Sequence, residues 1–485
     1  MSRIWKVLRR AVEWFAIILV TVVLVRAFDA RRLPELKPWH RVVLQKELLA
    51  AELNDRLTLA DYLAREAEVF REVQERVVMQ VPPEDRTKGN RYFADSPINP
   101  SHFATDWNRT FEMVPQEIRG GALLIHGLTD GPYSMRRTAE LLRDNGIYVL
   151  CLRLPGHGTV PGALTRARWD DWLAATKVGA RLVRGKIGNG KPFTLFGYSG
   201  GGALAVVYSL EALSGTTLPA ADKIVLLSPM VGIVTFPAVA KVVSLLAFVP
   251  YFEKSRWIDV LPEYNPFKYN SFPVNAVRQT LDLTSLLQAE IQKAADAGRI
   301  GKLPPTLVFQ SLADSTVSTS AVVDKFCDKL AANGSELVLF DQNRTNTYRP
   351  FLKPPENDLI SRVSAAGSRR YRFTLITNAR PDTSDVVERS YPPAGGEPRE
   401  QPLGLAWPSQ VFSLSHIAVP FPPDDPLYGL APDMTIDYGL RLGLIAPRGE
   451  GSVLTVPIED LMRLKSNPFF PYVERRILEW IGPAK

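Results

Sequence analysis

One stretch of this 485-residue chain decides how it folds: residues 193–201, FTLFGYSGG. Its first four residues predict a short buried strand, and the small residues after the serine can begin a closely packed helix. Residues 197–201 match the pattern G-x-S-x-G, in which a serine occupies a tight turn between a strand and a helix. Because the backbone of such a turn is strained, its neighbours have to be small. The pattern therefore predicts that Ser199 projects its hydroxyl clear of a sheet.

Strands and helices are predicted in alternation on both sides of this turn. Short apolar runs predict the strands, and longer runs with apolar residues three or four positions apart predict the helices. Such alternation is typical of an α/β fold, in which a mostly parallel sheet is flanked by helices. The predicted strands are 122–125, 147–152, 193–196, 223–227, 306–310, 336–340 and 371–377, and the predicted helices include 135–145, 169–182 and 472–481.

The N-terminal residues differ in character from the rest. Basic residues precede and follow the almost wholly apolar run 14–25. With its neighbours, this run is just long enough to span a bilayer as a helix. A cleaved signal peptide is the alternative, because a basic start and an apolar middle are also its signature. We favour an uncleaved membrane-anchor helix.

Three further segments fall outside the strand–helix alternation. Residues 42–78 predict a long helix, stopped by Pro82-Pro83, that forms a stalk. The apolar and aromatic residues after 231 predict a helical cap, and residues 379–409, rich in Pro, Gly, Asp and Arg, predict a long surface excursion. The chain thus divides into an anchor or signal segment (1–35), a helical stalk and loop (36–118), a core in two parts (119–230 and 301–485), a cap between them (231–300) and an insertion in the second part (about 341–408).

A serine hydroxyl needs a base to become a nucleophile, and the base needs an acid to orient it. In folds that carry this serine turn, the chain order is serine, acid, histidine. Of the five histidines only His416 follows Ser199, so His416 is the predicted base. Asp314 follows the predicted strand 306–310 and is the predicted acid, although an aspartate there could instead cap the helix near Ser320.

Two backbone amides are expected to bind the developing negative charge of a reacting carbonyl. One is the amide of Gly200, directly after the serine, and the other is that of Leu128, in the loop after the first core strand. His126 and His157 also lie in loops after strands. We interpret both as structural residues that brace those loops.

The bulk composition limits the function classes. Hydrophobic residues make up 46% of the chain, which indicates a globular core, and a net charge of +7 is small for this length. The basic residues form no long run outside the N-terminus, so no nucleic-acid partner is expected. The two cysteines, Cys151 and Cys327, are predicted to be buried free thiols.

Five motifs in series resemble one family. They are LIHG at 124–127, LPGHG at 154–158, WDDW at 169–172, GYSGG at 197–201 and DSTV at 314–317. Together they resemble the α/β-hydrolase superfamily, and within it the group of monoacylglycerol lipases, lysophospholipases and bacterial carboxylesterases, beside which serine aminopeptidases are often placed. The resemblance covers residues 119–330 and the segment around His416. It implies an α/β-hydrolase fold with a helical cap, here preceded by the predicted N-terminal membrane-anchor helix.

The resemblance further implies ester hydrolysis through an acyl-enzyme, with Ser199, His416 and Asp314 as the catalytic residues and neither a metal nor an organic cofactor. We expect a hydrophobic acyl ester or lipid as substrate, and a location at a bacterial inner membrane with the catalytic domain on the periplasmic side. Signal-peptide cleavage would instead release the domain. Two alternatives stay open: an inactive membrane-anchored scaffold, and an aminopeptidase or amidase that holds a free amine through Glu253, Asp259 or Glu263.

Overall fold

The computed structural model describes residues 33–232, 250–352, 359–365, 367, 369–449 and 453–482, together with isolated positions between 5 and 21. The predicted anchor at 14–25 lies largely outside these residues and stays a prediction. Within the part of the chain that is described, no helix is both long enough and apolar enough to cross a membrane.

Among the described residues, ten strands form one sheet, and two more form a small separate ribbon. In chain order the strands are β1 Phe111–Met113, β2 Gly120–Ile125, β3 Ile147–Cys151, β4 Phe193–Tyr198, β5 Lys223–Leu227, β6 Trp257–Asp259, β7 Phe272–Pro273, β8 Thr306–Ser311, β9 Glu336–Phe340, β10 Arg372–Asn378, β11 Asp385–Tyr391 and β12 Arg399–Ala406. The spatial order in the large sheet is β1-β3-β2-β4-β5-β8-β9-β10-β11-β12.

The centre of the large sheet is parallel and its edges are antiparallel. The pairs from β3–β2 through β9–β10 all run parallel, whereas β1 pairs antiparallel with β3, and β11 and β12 pair antiparallel at the other edge. Every residue of β2, β4, β8 and β9 is buried, as expected for parallel strands covered on both faces. The prediction of a mostly parallel sheet flanked by helices is therefore confirmed.

Helices cover both faces of this sheet. On one face α4 (Trp169–Ile187), α5 (Gly200–Ala212) and α6 (Val274–Asp296) share an apolar core with the strands, and on the other face α3 (Arg136–Asp144) and α10 (Phe470–Ile481) do so. Cys151 and Cys327 are buried free thiols, as predicted. In chain order the helices described are α1 Pro38–Arg41, α2 Leu59–Arg76, α3 Arg136–Asp144, α4 Trp169–Ile187, α5 Gly200–Ala212, α6 Val274–Asp296, α7 Thr319–Lys325, α8 Leu359–Ala365, α9 Ile458–Met462 and α10 Phe470–Ile481.

The long helix predicted at 42–78 is wrong in its first part. Residues 42–58 contain no helix, and α2 begins only at Leu59. Thr58 supplies the reason, because its side chain accepts a hydrogen bond from the Asp61 amide while the Asp61 carboxylate accepts from the Thr58 amide. This reciprocal capping box fixes the start of the helix at that point.

The predicted stalk packs directly on the sheet domain. The Tyr62 hydroxyl donates to the Arg153 carbonyl oxygen at 2.7 Å. The fully buried Arg153 guanidinium donates to the buried Glu66 carboxylate at 3.2 Å and to Glu47 at 2.8 Å. Glu66 also accepts from the amide and hydroxyl of Thr110. Residues 36–118 are thus part of the globular body, joined to it by a buried ion-pair network.

In the described part of the predicted cap 231–300, the one α-helix is α6, and no residue of α6 lines the cavity beside Ser199. Residues 233–249 lie outside the described residues. Helix α6 packs against α5 within the core of one sheet face, so it is a flanking helix. Residues 250–273, which directly precede α6, form a short 3₁₀ helix, the β6–β7 ribbon and loops.

The surface excursion predicted at 379–409 is wrong. This segment instead contains β11 and β12, which extend the large sheet beyond β10. Most residues of β12 are exposed, because this edge of the sheet is open to solvent on its faces. The insertion 341–408 therefore adds strands to the far edge of the sheet, away from β4.

The buried network predicts a large stability effect for one arginine. Replacing Arg153 with methionine leaves the buried Glu66 carboxylate without its cation, and we expect a loss of about 3–5 kcal/mol in the free energy of unfolding. The matched control is Arg71→Met, since Arg71 pairs with Glu68 on the exposed side of the same α2. We expect that change to cost less than about 0.5 kcal/mol. Equal urea-unfolding midpoints for the two variants would contradict the assigned role of the network.

Candidate active site

Ser199 lies on a strained turn between β4 and α5. Its backbone angles are φ 53° and ψ −115°, a conformation that residues other than glycine rarely adopt. A Cβ placed on Gly201 would lie 2.1 Å from the Ile125 carbonyl oxygen, and one on Gly197 would lie 2.5 Å from the Gly201 carbonyl oxygen. Glycine is required at both positions because the start of α5 packs directly on the backbone of β2 and β4.

The structure brings the three side chains named from the sequence into one chain of hydrogen bonds. The Ser199 hydroxyl oxygen lies 3.0 Å from His416 Nε2, and His416 Nδ1 lies 2.7 Å from Asp314 Oδ2. All three residues are buried. Since an ionised carboxylate only accepts, Nδ1 carries the proton and Nε2 is left to accept from the serine hydroxyl. In this arrangement the imidazole can take the serine proton.

Asp314 lies in an environment that favours its ionised form. Burial by itself would raise the pKa of Asp314, but the charge and hydrogen bond of His416 and two backbone amides outweigh it and lower the pKa below its ordinary value. The amides of Thr316 and Val317 donate to Oδ1 at 2.8 Å each, and the Gln310 side-chain amide donates to Oδ2 at 3.1 Å. The carboxylate is held in one orientation, with Oδ2 towards the imidazole.

The alternative role for Asp314, as a helix cap, is filled by another residue. Helix α7 begins at Thr319, and the Ser318 side chain accepts from the Ala321 amide at 3.1 Å. Asp314 instead binds the turn that precedes the helix. Its side chain is therefore available to His416.

The two residues predicted to bind an oxyanion through their amides are neighbours in space. A Cβ placed on Gly200 would be 3.6 Å from the Leu128 nitrogen. Gly200 begins α5, where the first amides have no partner within the helix. Among the backbone hydrogen bonds of the described loops, none is donated by Leu128. Thr129 follows with φ 64°, which turns the chain sharply after Leu128. Both N–H groups can therefore serve an oxygen bound beside Ser199.

His126 and His157 brace the loops around the site, as interpreted from the sequence. His126 Nε2 accepts from the Leu154 amide at 3.0 Å, and its Nδ1 lies 2.9 Å from the Gly127 carbonyl oxygen. Burial lowers the pKa of His126 well below its ordinary value and that of His157 to about 4, so both rings stay neutral. Because His126 joins the loop after β2 to the loop after β3, it fixes the backbone that carries Leu128.

A small cavity of about 160 Å³ adjoins this cluster. Tyr198, Ile417 and Asp130 are in its wall, and each is within two positions of a residue of the site. Its other charged residues come from distant segments: Lys268, Asp460, Arg463 and Lys465. The sequence reasoning missed all five charged residues. Only Asp130 carried a signal, since it lies two positions after Leu128 in the same loop.

The carboxylates proposed to hold a free amine are engaged elsewhere or exposed. Glu263 is buried and accepts from the amides of Asn270 and Ser271. Glu253 pairs with Arg41 at 3.3 Å, and Asp259 is exposed. None of the three lines the cavity beside the site.

Among the described aromatic residues of the predicted cap, Trp257 and Phe267 pack away from the cavity beside Ser199. Trp257 is buried against His40, and Phe267 is buried in a cluster with Tyr133 and Tyr438. Tyr264 and Tyr269 do reach the cavity wall. Within the part of the chain that is described, no three His, Cys, Asp or Glu side chains are grouped so that they could hold a metal ion.

A buried serine on a strained strand-to-helix turn, linked through histidine to aspartate at the carboxyl edge of a parallel sheet, defines a class of proteins, the α/β hydrolases. Comparisons with known proteins agree. The model of the alpha/beta hydrolase family matches residues 122–357. A thermostable monoacylglycerol lipase of Bacillus sp. (strain H-257) is 30% identical over 199 residues, which is 41% of this chain and 71% of that enzyme.

Two solved structures are more distantly similar. The monoacylglycerol lipase of Paleococcus ferrophilus is 17% identical, with a TM-score of 0.37 over 48% of this chain and 88% of that one. A soluble variant of the monoglyceride lipase of Saccharomyces cerevisiae is 17% identical, with a TM-score of 0.37 over 48% of this chain and 82% of that one. On the family model and the Bacillus relative, the chain belongs to the α/β-hydrolase family, among its lipase- and esterase-like members.

The close packing at the turn makes one glycine irreplaceable. In Gly201→Ala the added methyl would overlap the Ile125 carbonyl, and we expect the free energy of unfolding to fall by about 3 kcal/mol or more. Gly185 is the matched control, because it is also helical but a Cβ there meets no atom within 4 Å. Gly185→Ala should stabilise by about 0.5–1 kcal/mol. Urea unfolding of both variants tests this, and a Gly201→Ala protein as stable as the wild type would refute the packing argument.

Proposed function

We propose that this ester hydrolase works through a Ser199–His416–Asp314 triad and cleaves esters of hydrophobic acyl groups. The single observation that carries the proposal is the hydrogen-bond chain from the Ser199 hydroxyl through His416 to Asp314. The strained backbone at Ser199 supports it, because such strain is common at active sites.

The chemistry follows from where each proton can go. The Ser199 oxygen attacks the ester carbonyl carbon while its proton passes to His416 Nε2. The carbon–oxygen bond to the alcohol then breaks, and the alcohol leaves with that proton. A water molecule repeats the sequence on the acyl-enzyme, so that the acid is released and Ser199 regains its proton. Asp314 holds His416 in the required tautomer and stabilises its charged form.

Leu128 and Gly200 supply the stabilisation of the tetrahedral intermediate. Two amide donors aimed at the oxygen are worth several kcal/mol at the transition state in acyl-transfer enzymes. The bracing by His126 limits how far the Leu128 amide can move. That rigidity is useful because preorganised donors need no rearrangement when the charge develops.

The acyl group is proposed to lie on the apolar side of Ser199. Met230 is buried there, and its amide donates to the Ser199 carbonyl oxygen. A Cβ on Gly200 would lie 3.4 Å from the Met230 methyl. The Bacillus relative and the two structural neighbours are all named as lipases of monoacylglycerols, which favours a fatty acyl ester for this chain.

Replacing the nucleophile tests the mechanism. In Ser199→Ala we expect kcat/KM for p-nitrophenyl butyrate to fall by about 10⁴-fold or more, because no alkoxide can form. Asp314→Asn should cost about 10³–10⁴-fold, since the asparagine favours the wrong tautomer of His416. The release of p-nitrophenolate by the full chain measures both.

The matched control for the serine is Ser209→Ala. Ser209 lies on the same α5, is equally buried, and donates only to the Ala205 carbonyl oxygen. Its loss should leave the turnover within about threefold of the wild type, since the hydroxyl is remote from the reacting atoms. Unchanged turnover in Ser199→Ala would end the proposal.

A series of p-nitrophenyl esters tests the acyl preference. If an apolar surface binds the acyl chain, kcat/KM should rise with each added methylene by roughly threefold or more until the surface is filled. The full chain is assayed from acetate upwards, with Ser199→Ala as the blank. A kcat/KM that stays constant along the series would contradict the proposal that the substrate is a hydrophobic acyl ester. Cleavage of aminoacyl p-nitroanilides with no ester turnover would contradict it as well.

A further inference from the structure

The cavity beside the triad lies on the side where the alcohol part of an ester has to be. In the proposed mechanism His416 gives its proton to the leaving oxygen, so the leaving group is next to the imidazole. Ile417, directly after His416, and Tyr198, whose ring stacks on that of His416 at 5.5 Å, are both in the cavity wall. The cavity therefore adjoins the imidazole that serves the leaving group, and Met230 is not among the residues of its wall.

The cavity is small for a long acyl chain. Its volume of about 160 Å³ is small against the roughly 300–1,000 Å³ of sites that enclose a drug-sized ligand. A group of glycerol size fits it better. The wall is also polar, with the side-chain amides of Asn265 and Asn270 and the hydroxyl-bearing rings of Tyr264 and Tyr428.

The charges on the wall are unevenly paired. Asp130 is matched by Lys268, whose Nζ lies 3.8 Å from its carboxylate. Arg463 and Lys465 have no carboxylate within 4 Å among the ion pairs of the described residues, although Asp460 lies at the exposed rim. The cavity wall thus holds three cations against two carboxylates, and the one cation in excess is on the side of the segment 460–465, which carries Asp460, Arg463 and Lys465.

The two cations on that side keep free donors. Lys465 Nζ donates to two backbone carbonyl oxygens, those of Leu461 and Arg463, which leaves one of its three N–H groups. Burial lowers the pKa of Lys465 to about 8, so it remains largely charged at neutral pH. The Arg463 guanidinium donates to the Thr316 hydroxyl at 3.0 Å, and its remaining N–H groups stay available to a ligand. A guanidinium beside an ammonium is a typical pair of donors to a phosphate.

We propose that this cavity binds a phosphate group carried by the alcohol part of the ester, with Arg463 and Lys465 as its donors. This inference rests on the proposed function, and it makes the substrate an acyl ester of a small phosphorylated alcohol. Arg463 and Lys465 are then specificity residues, because they contact the leaving group and not the reacting carbonyl. An ammonium-bearing alcohol fits less well, since Asp130 already has Lys268 as its counter-ion.

The test compares two water-soluble esters with the same acyl chain, butyryl glycerol phosphate and butyryl glycerol, on the full chain. We expect the wild type to favour the phosphate ester in kcat/KM by about tenfold or more, since a charged hydrogen bond is worth at least that factor. In Arg463→Gln this ratio should fall by about tenfold. The ratio is unaffected by partial unfolding, which lowers both rates equally.

The matched control is Arg475→Gln. Arg475 is a half-exposed arginine on α10 that does not line the cavity, and it should leave the ratio unchanged. A wild-type ratio near one, or a ratio that Arg463→Gln does not change, would overturn the phosphate site. A preference for butyrylcholine that is lost in Asp130→Asn would overturn it too and assign the cavity to a cation.

The p-nitrophenyl butyrate assay separates the two levels of inference. If this ester is hydrolysed by the wild type and not by Ser199→Ala while the phosphate preference is missing, only the phosphate site is refuted. If none of these esters is hydrolysed, the proposed function falls, and the phosphate site falls with it.

Discussion

The contact between the start of α5 and the backbone of β2 is the constraint on which the site depends. At Gly201 the two are so close that even a methyl group would overlap the Ile125 carbonyl. The chain can reach this position from β4 only through a sharp turn, which places Ser199 in its strained conformation. The same contact brings Gly200 beside Leu128, so the residues proposed as nucleophile and oxyanion donors are positioned by one packing event.

The long insertion before His416 leaves the geometry of the site intact, because the two ends of the insertion lie close together in space. The Asn343 amide donates to the Phe412 carbonyl oxygen, and its side chain donates to that of Val411. The Ser311 hydroxyl at the end of β8 donates to the Leu414 carbonyl oxygen at 2.5 Å. The segment between these contacts adds strands at the sheet edge and returns. Asp314 and His416 are therefore 102 positions apart in the sequence but lie as close as if a short loop joined them. Loop-closure entropy grows only slowly with length, so such an insertion is tolerated.

The sequence was sufficient for the parts whose signal is local. The strand–turn–helix pattern around Ser199 and the single downstream histidine led to the residues that the structure brings together. The sequence was not sufficient where other interactions override the composition of a segment. Residues 42–58 have a helix-forming composition, but the capping box at Thr58 starts the helix later. Residues 385–406 contain two strands with polar faces, separated by a Pro- and Gly-rich hairpin, so their composition resembled a loop. The cavity charges come from three distant segments, and no spacing rule connects them.

The part of the chain before the family match helps to hold one loop of the cavity wall in place. The family model begins at residue 122, yet the buried Arg91 donates to the carbonyl oxygens of Asn265 and Lys268, and it also binds the Asn108 side chain. The side-chain NH₂ group of Asn108 in turn donates to the Pro266 carbonyl oxygen. These contacts fix the loop that carries Lys268 over the site. The loop that carries Lys268, in the wall of the cavity proposed to bind the leaving group, is thus held by residues that lie before the family match. In such an arrangement, specificity can change while the strained turn and its packing stay the same.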